Sequence, residues 1–341
     1  MLLIVAHHYV VNSDVLNLMY NNPLSANSIY MFILGAWGKI GINCFIFITG
    51  YFMCKKNISL TKFIKLLLEV LFYNLFFSIF FIFVGIGNFS DFFKSFLIIK
   101  NIDSSNFTAC FLLFYLFIPF LNVLIQNINQ RQHKFLIGML SFLYIFLGTI
   151  PKFSVTMNYV SWFSFLFLVS SYIRLYNIKK KNWGILTLLF FVLSVVSIIL
   201  CLFIGQKIQK NIAYRFVTDS NTFLAFAVSF CSFMYFIDLK IKTNKIINLV
   251  AGSTFGILLI HTNSDAMRNW LWKDIFRVQI VYDYPFYQLI FYSFISIFTV
   301  FIVCALIDIL RKRFLEKKFL EFIYNLEIYK KIDIWFKKIE L

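Results

Sequence analysis

Two adjacent histidines near the start of the chain are the side chains best suited to proton transfer. His7 and His8 lie in the apolar stretch LLIVAHHYV, and a neutral imidazole can act as a general base at physiological pH. An ionisable group inside an apolar span is costly to bury and is therefore a functional candidate. The alternative interpretation of the pair is a polar cap at a helix end.

Other polar side chains in apolar stretches could bind a substrate. Lys39, in WGKIGINCFIFITGY, either binds an anionic group or extends its amine to the membrane interface. His261, Asp265 and Arg268 are spaced at i, i+4 and i+7, and they share one face if a helix continues through them. Such a polar ring suits a carbohydrate acceptor. The alternative is an interfacial cluster anchored by the neighbouring tryptophans.

A cluster of lysines follows the second apolar stretch, and it consists of Lys55, Lys56, Lys62 and Lys65. Such a cluster can hold the phosphates of a nucleotide-like donor by charge attraction. The simpler interpretation is the excess of basic residues that is typical of any cytoplasmic loop of a membrane protein. Glu69 and Asp308 lie close to the same interface, and we expect each to pair with a nearby lysine or arginine.

The elements that must position these residues are membrane helices. Of 341 residues, 61% are hydrophobic and 14% are charged, against roughly 45–50% and about 25% in soluble domains, which excludes a water-soluble globule. The sequence predicts an all-α, polytopic integral membrane protein with about ten transmembrane helices, because apolar runs of about 20 residues can cross the ~30 Å hydrocarbon core. The runs lie near residues 1–11, 30–53, 66–86, 107–127, 135–150, 158–176, 183–204, 221–237, 248–262 and 286–310.

The net charge of +17 is distributed unevenly between alternate loops. Most lysines and arginines fall in one set of loops and in the C-terminal tail, and basic residues are retained on the cytoplasmic side. This pattern predicts a multi-pass cell-membrane protein with both termini in the cytoplasm, and it argues against nucleic-acid binding. Residues 1–310 are expected to form the membrane domain. Residues 311–341 are expected to form a basic amphipathic helix on the inner leaflet or, alternatively, a partner-binding helix.

Several stretches, in order along the chain, resemble the membrane acyltransferase family 3, and members acting on bacterial surface polysaccharides in particular. They are LLIVAHHYV, GKIGINCFIFITGYFM, YLFIPFLN, SSYIRLY, and GILLIHTN followed by RNWLW. The resemblance runs through nearly the whole chain. It implies an O-acyltransferase, usually an O-acetyltransferase, that moves an acyl group from cytoplasmic acyl-CoA to a hydroxyl of a cell-surface glycan.

The resemblance also implies roles for individual residues. His8 matches the histidine of the family's first-helix motif, which makes it the candidate general base with His7 beside it. The motif's arginine, eleven residues earlier on the same helix face, would precede Met1, so the chain either starts upstream or is an inactive truncated relative.

The resemblance further implies where the two substrates bind. Arg174, in SSYIRLY, joins the four lysines as a candidate contact of the acyl donor. Lys62 and Lys65, with no proline, stand where many relatives carry an arginine-rich motif that ends in proline, and lysine keeps the charge but loses the bidentate fork. The candidate acceptor contacts are Lys39, His261, Asp265 and Arg268.

The predicted partners are acyl-CoA, most simply acetyl-CoA, as donor substrate, a polysaccharide or lipid-linked glycan as acceptor, and membrane lipid. No bound cofactor and no metal site is predicted, because the six cysteines contain no CxxC pair. A competing hypothesis is a carrier or glycan flippase without covalent chemistry. Transporters often show paired halves and broken helices, and the sequence indicates neither.

Overall fold

The computed structural model describes residues 1–338 apart from 57–58, 100–105, 151–152, 154, 156, 177, 179–181 and 218. The structure is 80% helical, and the residues it describes contain no strand, which confirms the all-α prediction. Some of the basic residues used to predict the orientation, Lys100, Lys152 and residues 179–181, lie outside the described part of the chain.

The helices of the first half are α1 (Leu2–Val11), α2 (Val15–Asn21), α3 (Ala26–Gly35), α4 (Gly38–Met53), α5 (Leu60–Phe83), α6 (Phe89–Ser95), α7 (Phe107–Asn127), α8 (Gln130–Ser141), α9 (Leu147–Thr149) and α10 (Tyr159–Leu175). Those of the second half are α11 (Trp183–Ile208), α12 (Phe223–Asp238), α13 (Lys245–Gly252), α14 (Thr254–His261), α15 (Asp265–Asn269), α16 (Val278–Tyr282), α17 (Phe286–Arg311), α18 (Lys317–Asn325) and α19 (Glu327–Lys338). Short π-helical turns occur at Phe142–Phe146, Trp270–Ile275 and Lys312–Glu316.

Within the described ranges, 5 helical stretches are long and apolar enough to cross a membrane. They are Ala26–Met53, Leu60–Phe83, Phe107–Asn127, Trp183–Ile208 and Phe286–Asn325. The predicted count of about ten is therefore not confirmed. Helices α1, α10 and α12 are apolar but only 10–17 residues long, and the predicted run at 248–262 is divided between α13 and α14.

The division of that run corrects two expectations. Helix α13 ends before Ser253, so a broken helix is present where the sequence indicated none. Helix α14 ends at His261, and α15 starts separately after Ser264, whose hydroxyl accepts a hydrogen bond from the Met267 amide at 3.2 Å. His261 and Asp265 are therefore not on one continuous helix, and the proposed shared face does not exist.

Helix α4 packs against α1, α10 and α12. Small residues allow these close approaches, since Gly41 lies against Ile4 of α1 and Gly50 against Ser170 of α10. Half of the residues of α1 are buried as a result, and Tyr9 has no exposed surface. The helix that carries the two histidines is thus an interior element rather than a peripheral one.

A buried ionic cluster joins α5 to α17. Arg311 is surrounded by carboxylates at ion-pair distance, namely Glu69 at 3.0 Å, Asp308 at 3.0 Å and Glu316 at 3.1 Å. The Tyr73 hydroxyl donates to Asp308 at 2.8 Å, and Lys312 lies 2.7 Å from the same carboxylate. The prediction that Glu69 and Asp308 pair with basic residues is confirmed. Below, Glu69, Asp308 and Arg311 are called the ionic hub.

The C-terminal tail begins without a break in the helix. Helix α17 continues through the π turn at Lys312–Glu316 into α18, and the division of the chain at residue 310 stays a prediction. Helix α19 packs against α5, with the hydroxyls of Thr61 and Tyr329 2.8 Å apart. Phe314, Phe319 and Phe322 are exposed. The position of this amphipathic segment on the inner leaflet stays a prediction.

Removal of the hub's only guanidinium is expected to destabilise the fold. Arg311→Met leaves the buried Glu69 carboxylate without its ion-pair partner, so the free energy of unfolding should fall by about 3–5 kcal/mol. Arg313→Met, on the exposed face two residues further along, is the matched control and should change it by less than about 0.5 kcal/mol. The measurement is denaturant-induced unfolding in detergent micelles, followed by tryptophan fluorescence. Equal midpoints for the two variants would contradict a stabilising hub.

Candidate functional site

A cavity of about 730 Å³ opens beside α1. Its lining includes His7 and His8 of α1, Lys39 at the start of α4, and Asp265 and Arg268 of α15. The structure therefore brings together both candidate bases and three of the four candidate acceptor contacts from distant parts of the sequence. This space is called the histidine cavity below.

His261, the fourth acceptor candidate, lies behind the wall of the cavity and bonds to His8. The Nδ1 atom of His8 lies 3.0 Å from Nε2 of His261, and Nδ1 of His261 lies 2.5 Å from the Ile257 carbonyl oxygen. His261 has no exposed surface. Both of its ring nitrogens are therefore engaged, and it cannot also contact a substrate.

The tautomers of this pair follow from the carbonyl. Because a carbonyl oxygen only accepts, Nδ1 of His261 carries the proton and its Nε2 is a lone-pair acceptor. Neutral His8 must then donate from Nδ1, which leaves its own Nε2 unprotonated. That nitrogen has no hydrogen-bond partner among the described residues, and His8 borders the histidine cavity. The arrangement is that of an oriented general base.

His7 differs from His8 in its surroundings. Its Nδ1 atom donates to the Gly35 carbonyl at 2.5 Å, and its ring lies against the backbone of Gly38. Among the described residues, no side chain forms a hydrogen bond with His7, because its partner is a backbone carbonyl. Both imidazoles therefore leave Nε2 unprotonated beside the cavity, and His8 differs in having a second imidazole, His261, as its orienting partner.

Lys39 donates a hydrogen bond to the Tyr159 hydroxyl at 2.7 Å, and its amine also lies 5.3 Å from the centre of the Tyr159 ring. No carboxylate of the described residues forms an ion pair with it. Lys39 is only partly exposed and Tyr159 is 2% exposed. Lys39 therefore borders the histidine cavity, and its binding of an anionic group stays a prediction.

The mouth of the cavity is polar. Arg268 pairs with Asp265, and Lys94 of α6 lies 3.2 Å from Asp91. Further in, the Asn263 amide donates to Asn74 of α5 at 3.3 Å. These groups offer donors and acceptors for hydroxyl-rich ligands.

Sequence reasoning missed several polar residues of the cavity wall, among them Asn74 and Tyr159. Asn74 is the one amide in the apolar run LFYNLFF of α5, which is a signal that could have singled it out. Tyr159 gave no signal, because it is one of 18 tyrosines and its position is special only after α10 packs on α4.

The candidate donor contacts lie at the other end of α4. Lys55 and Lys56 follow its last residue, so they are roughly 24 Å from Lys39, given 16 residues at ~1.5 Å each. Arg174 of α10 lies at the same end and donates to the Tyr51 hydroxyl at 2.9 Å.

The remaining lysines of the cluster are on α5. Lys62 is exposed, and Lys65 forms an ion pair with Glu316 at 2.6 Å, so Lys65 belongs with the ionic hub. None of these candidate donor contacts borders the histidine cavity. In the described part of the chain, no group of three or more His, Cys, Asp or Glu residues is arranged to hold a metal ion.

The contact between His7 and Gly38 predicts a sharp difference between two glycines. A Cβ atom at Gly38 would overlap the His7 ring, so Gly38→Ala should lower the free energy of unfolding by about 1–3 kcal/mol. Gly138, inside α8, has nothing within 4 Å of the same position, and Gly138→Ala should raise it by up to about 1 kcal/mol. Denaturant-induced unfolding measures both changes. A stabilised Gly38→Ala protein would contradict the described packing.

Comparison with known proteins identifies the family. A family model described as an acyltransferase domain, that of the acyltransferase 3 family, matches residues 1–309. No curated protein and no solved structure matches the chain. Because the match covers most of the sequence, the chain belongs to the acyltransferase 3 family. This confirms the resemblance and, with the apolar helices, supports a membrane acyltransferase.

Proposed function

We propose that this member of the acyltransferase 3 family transfers an acyl group, most simply acetyl, from acyl-CoA to a hydroxyl of a cell-surface glycan. The single observation that carries the proposal is the hydrogen-bonded chain from the Ile257 carbonyl through His261 to His8. This chain leaves an unprotonated imidazole nitrogen at the wall of a polar cavity, which is what activation of a hydroxyl requires.

The chemistry needs one base and no other covalent partner. Nε2 of His8 removes the proton of the acceptor hydroxyl while the hydroxyl oxygen attacks the thioester carbonyl carbon. The tetrahedral intermediate then collapses, the carbon–sulfur bond breaks, and the thiolate takes the proton back from His8. His261 accepts from His8 throughout and favours the imidazolium that forms, as the carboxylate does in a hydrolytic triad.

The cavity suits a glycan acceptor. Its volume of about 730 Å³ falls within the usual range of small-molecule sites, about 300–1,000 Å³. Its walls offer the side chains of Asn74 and Asn263 and the pair formed by Asp265 and Arg268. Amides and paired charges can both donate to and accept from sugar hydroxyls.

On this proposal the donor approaches from the opposite end of α4. Lys55, Lys56 and Lys62 are exposed there. Arg174 lies at the same end of α4, where it donates a hydrogen bond to the Tyr51 hydroxyl. Exposed ammonium and guanidinium groups suit the phosphates of acyl-CoA. We assign this end, together with both termini, to the cytoplasm and the histidine cavity to the outer half of a multi-pass protein.

A glycan analysis tests the proposed function directly. Purified surface polysaccharide from cells with the gene, without it, and with it restored is compared by the proton signal of O-acetyl groups. We expect the signal to disappear on deletion and to return with the wild-type chain but not with His8→Ala at matched membrane abundance. An unchanged signal on deletion overturns acetylation of that glycan, and full recovery with His8→Ala overturns the role of His8.

The orienting role of His261 gives a second test. His261→Phe removes the acceptor for His8, so the transfer rate should fall on the order of 10²-fold or more, within the ~10²–10⁴ that general-base catalysis contributes. His261→Gln keeps a side-chain acceptor and should lose less. The matched control is His133→Gln, since His133 is equally buried but bonds the Leu168 carbonyl away from the cavity. A fully active His261→Phe protein would rule out the orienting role.

A further inference from the structure

We infer that Lys39 and Tyr159 form an oxyanion site, which stabilises the negative charge that develops on the acyl carbonyl oxygen during transfer. The inference rests on the proposed function and adds a second catalytic element to it. Both side chains border the histidine cavity together with His8. They also bond to one another at 2.7 Å.

The direction of the hydrogen bond between Lys39 and Tyr159 determines which of their N–H and O–H donors remain unused. An ammonium group has three donors and no acceptor, so Lys39 donates and the Tyr159 oxygen accepts. The hydroxyl hydrogen of Tyr159 must then point elsewhere, and within the described residues no acceptor takes it. Lys39 has further N–H donors that no described carboxylate engages. The pair thus presents at least two unused donors to the cavity.

The pair is also rigidly held. The Tyr159 ring stacks on Phe163 with centroids 5.1 Å apart, and Asn158 caps α10 by accepting from the Ser161 amide at 2.9 Å. One turn further along both helices, the Trp162 indole donates to Asn43 of α4 at 2.9 Å. These contacts fix α10 against α4, so the two donors need little reorganisation when charge develops.

An ammonium without a carboxylate partner is costly in a partly buried, apolar setting. The cost is offset when a negative charge appears beside it, and this happens only while the tetrahedral intermediate exists. Donors placed for that moment lower the barrier without tightening the binding of the substrate. Loss of Lys39 or Tyr159 should therefore lower kcat and leave KM almost unchanged.

The competing explanation is that Lys39 binds an anionic group of the acceptor before reaction. An interaction present equally in the bound substrate and in the transition state changes KM and leaves kcat unaltered. The two explanations therefore predict different kinetic constants for the same variants.

The test uses the full-length protein in proteoliposomes, with acetyl-CoA and purified polysaccharide, and follows release of the CoA thiol. We expect Lys39→Met to lower kcat by about 10²–10³-fold, the usual effect of losing one oxyanion donor, with KM for the glycan changed less than about threefold. Tyr159→Phe should also lower kcat. The double variant should lose less than the product of the single losses, because the two side chains act as a unit.

Control variants separate this role from a structural one. Lys39→Arg keeps donors and charge and should restore much of the lost kcat, whereas Lys39→Gln checks that the loss is not specific to methionine. Lys207→Met, at an exposed position near the end of α11, should behave as the wild type. All variants are compared at equal monodisperse protein by size-exclusion chromatography.

Each contrary outcome has a distinct meaning. A raised KM with unchanged kcat in Lys39→Met overturns the oxyanion site in favour of an acceptor-binding lysine. Unchanged kinetics in both single variants overturns it in favour of a structural pair. A wild-type protein that transfers no acyl group overturns the proposed function, and this inference with it.

Discussion

The burial of Arg311 among carboxylates is the interaction on which the position of the site depends. A guanidinium inside an apolar bundle must keep its counter-charges, so α5 is held against α17 by Glu69 on Arg311 and by the Tyr73 hydroxyl on Asp308. Gly256 of α14 packs directly on Asp308, which seats α14 against the same cluster. His261 ends that short helix, roughly 7.5 Å further along its axis. The hub therefore determines where His8 finds its partner.

Hydrogen-bond directions then assign the chemical roles within the site. The Ile257 carbonyl can only accept, and the Lys39 ammonium can only donate. From these two fixed ends, the proton positions on His261 and His8 and the direction of the Tyr159 hydroxyl follow. A lone-pair nitrogen and a set of free donors consequently border one cavity. Nucleophile activation and stabilisation of negative charge need these opposite capacities.

The sequence was informative where a rare residue type interrupts an apolar run. His8, Lys39, Glu69 and Asp308 were singled out in this way, and the structure brings the first two to one cavity and the last two into one cluster. The role of His261 could not be predicted, because its spacing to Asp265 assumed a helix that in fact ends at His261. The predicted count of about ten membrane-crossing helices is not confirmed, because several of the apolar runs form helices that are short or broken.

The hydrogen-bonded chain behind the cavity contains no carboxylate, and this has a consequence for the energetics of turnover. The chain ends on the Ile257 carbonyl and on the unprotonated Nε2 of His8, so it can hold one additional proton. On the proposed mechanism, the proton taken from the acceptor returns to the departing sulfur within the same cycle. The proton transfers of one turnover then move no net charge across the membrane. A thioester's own reactivity would drive the transfer, and neither the membrane potential nor a pH gradient would be drawn upon.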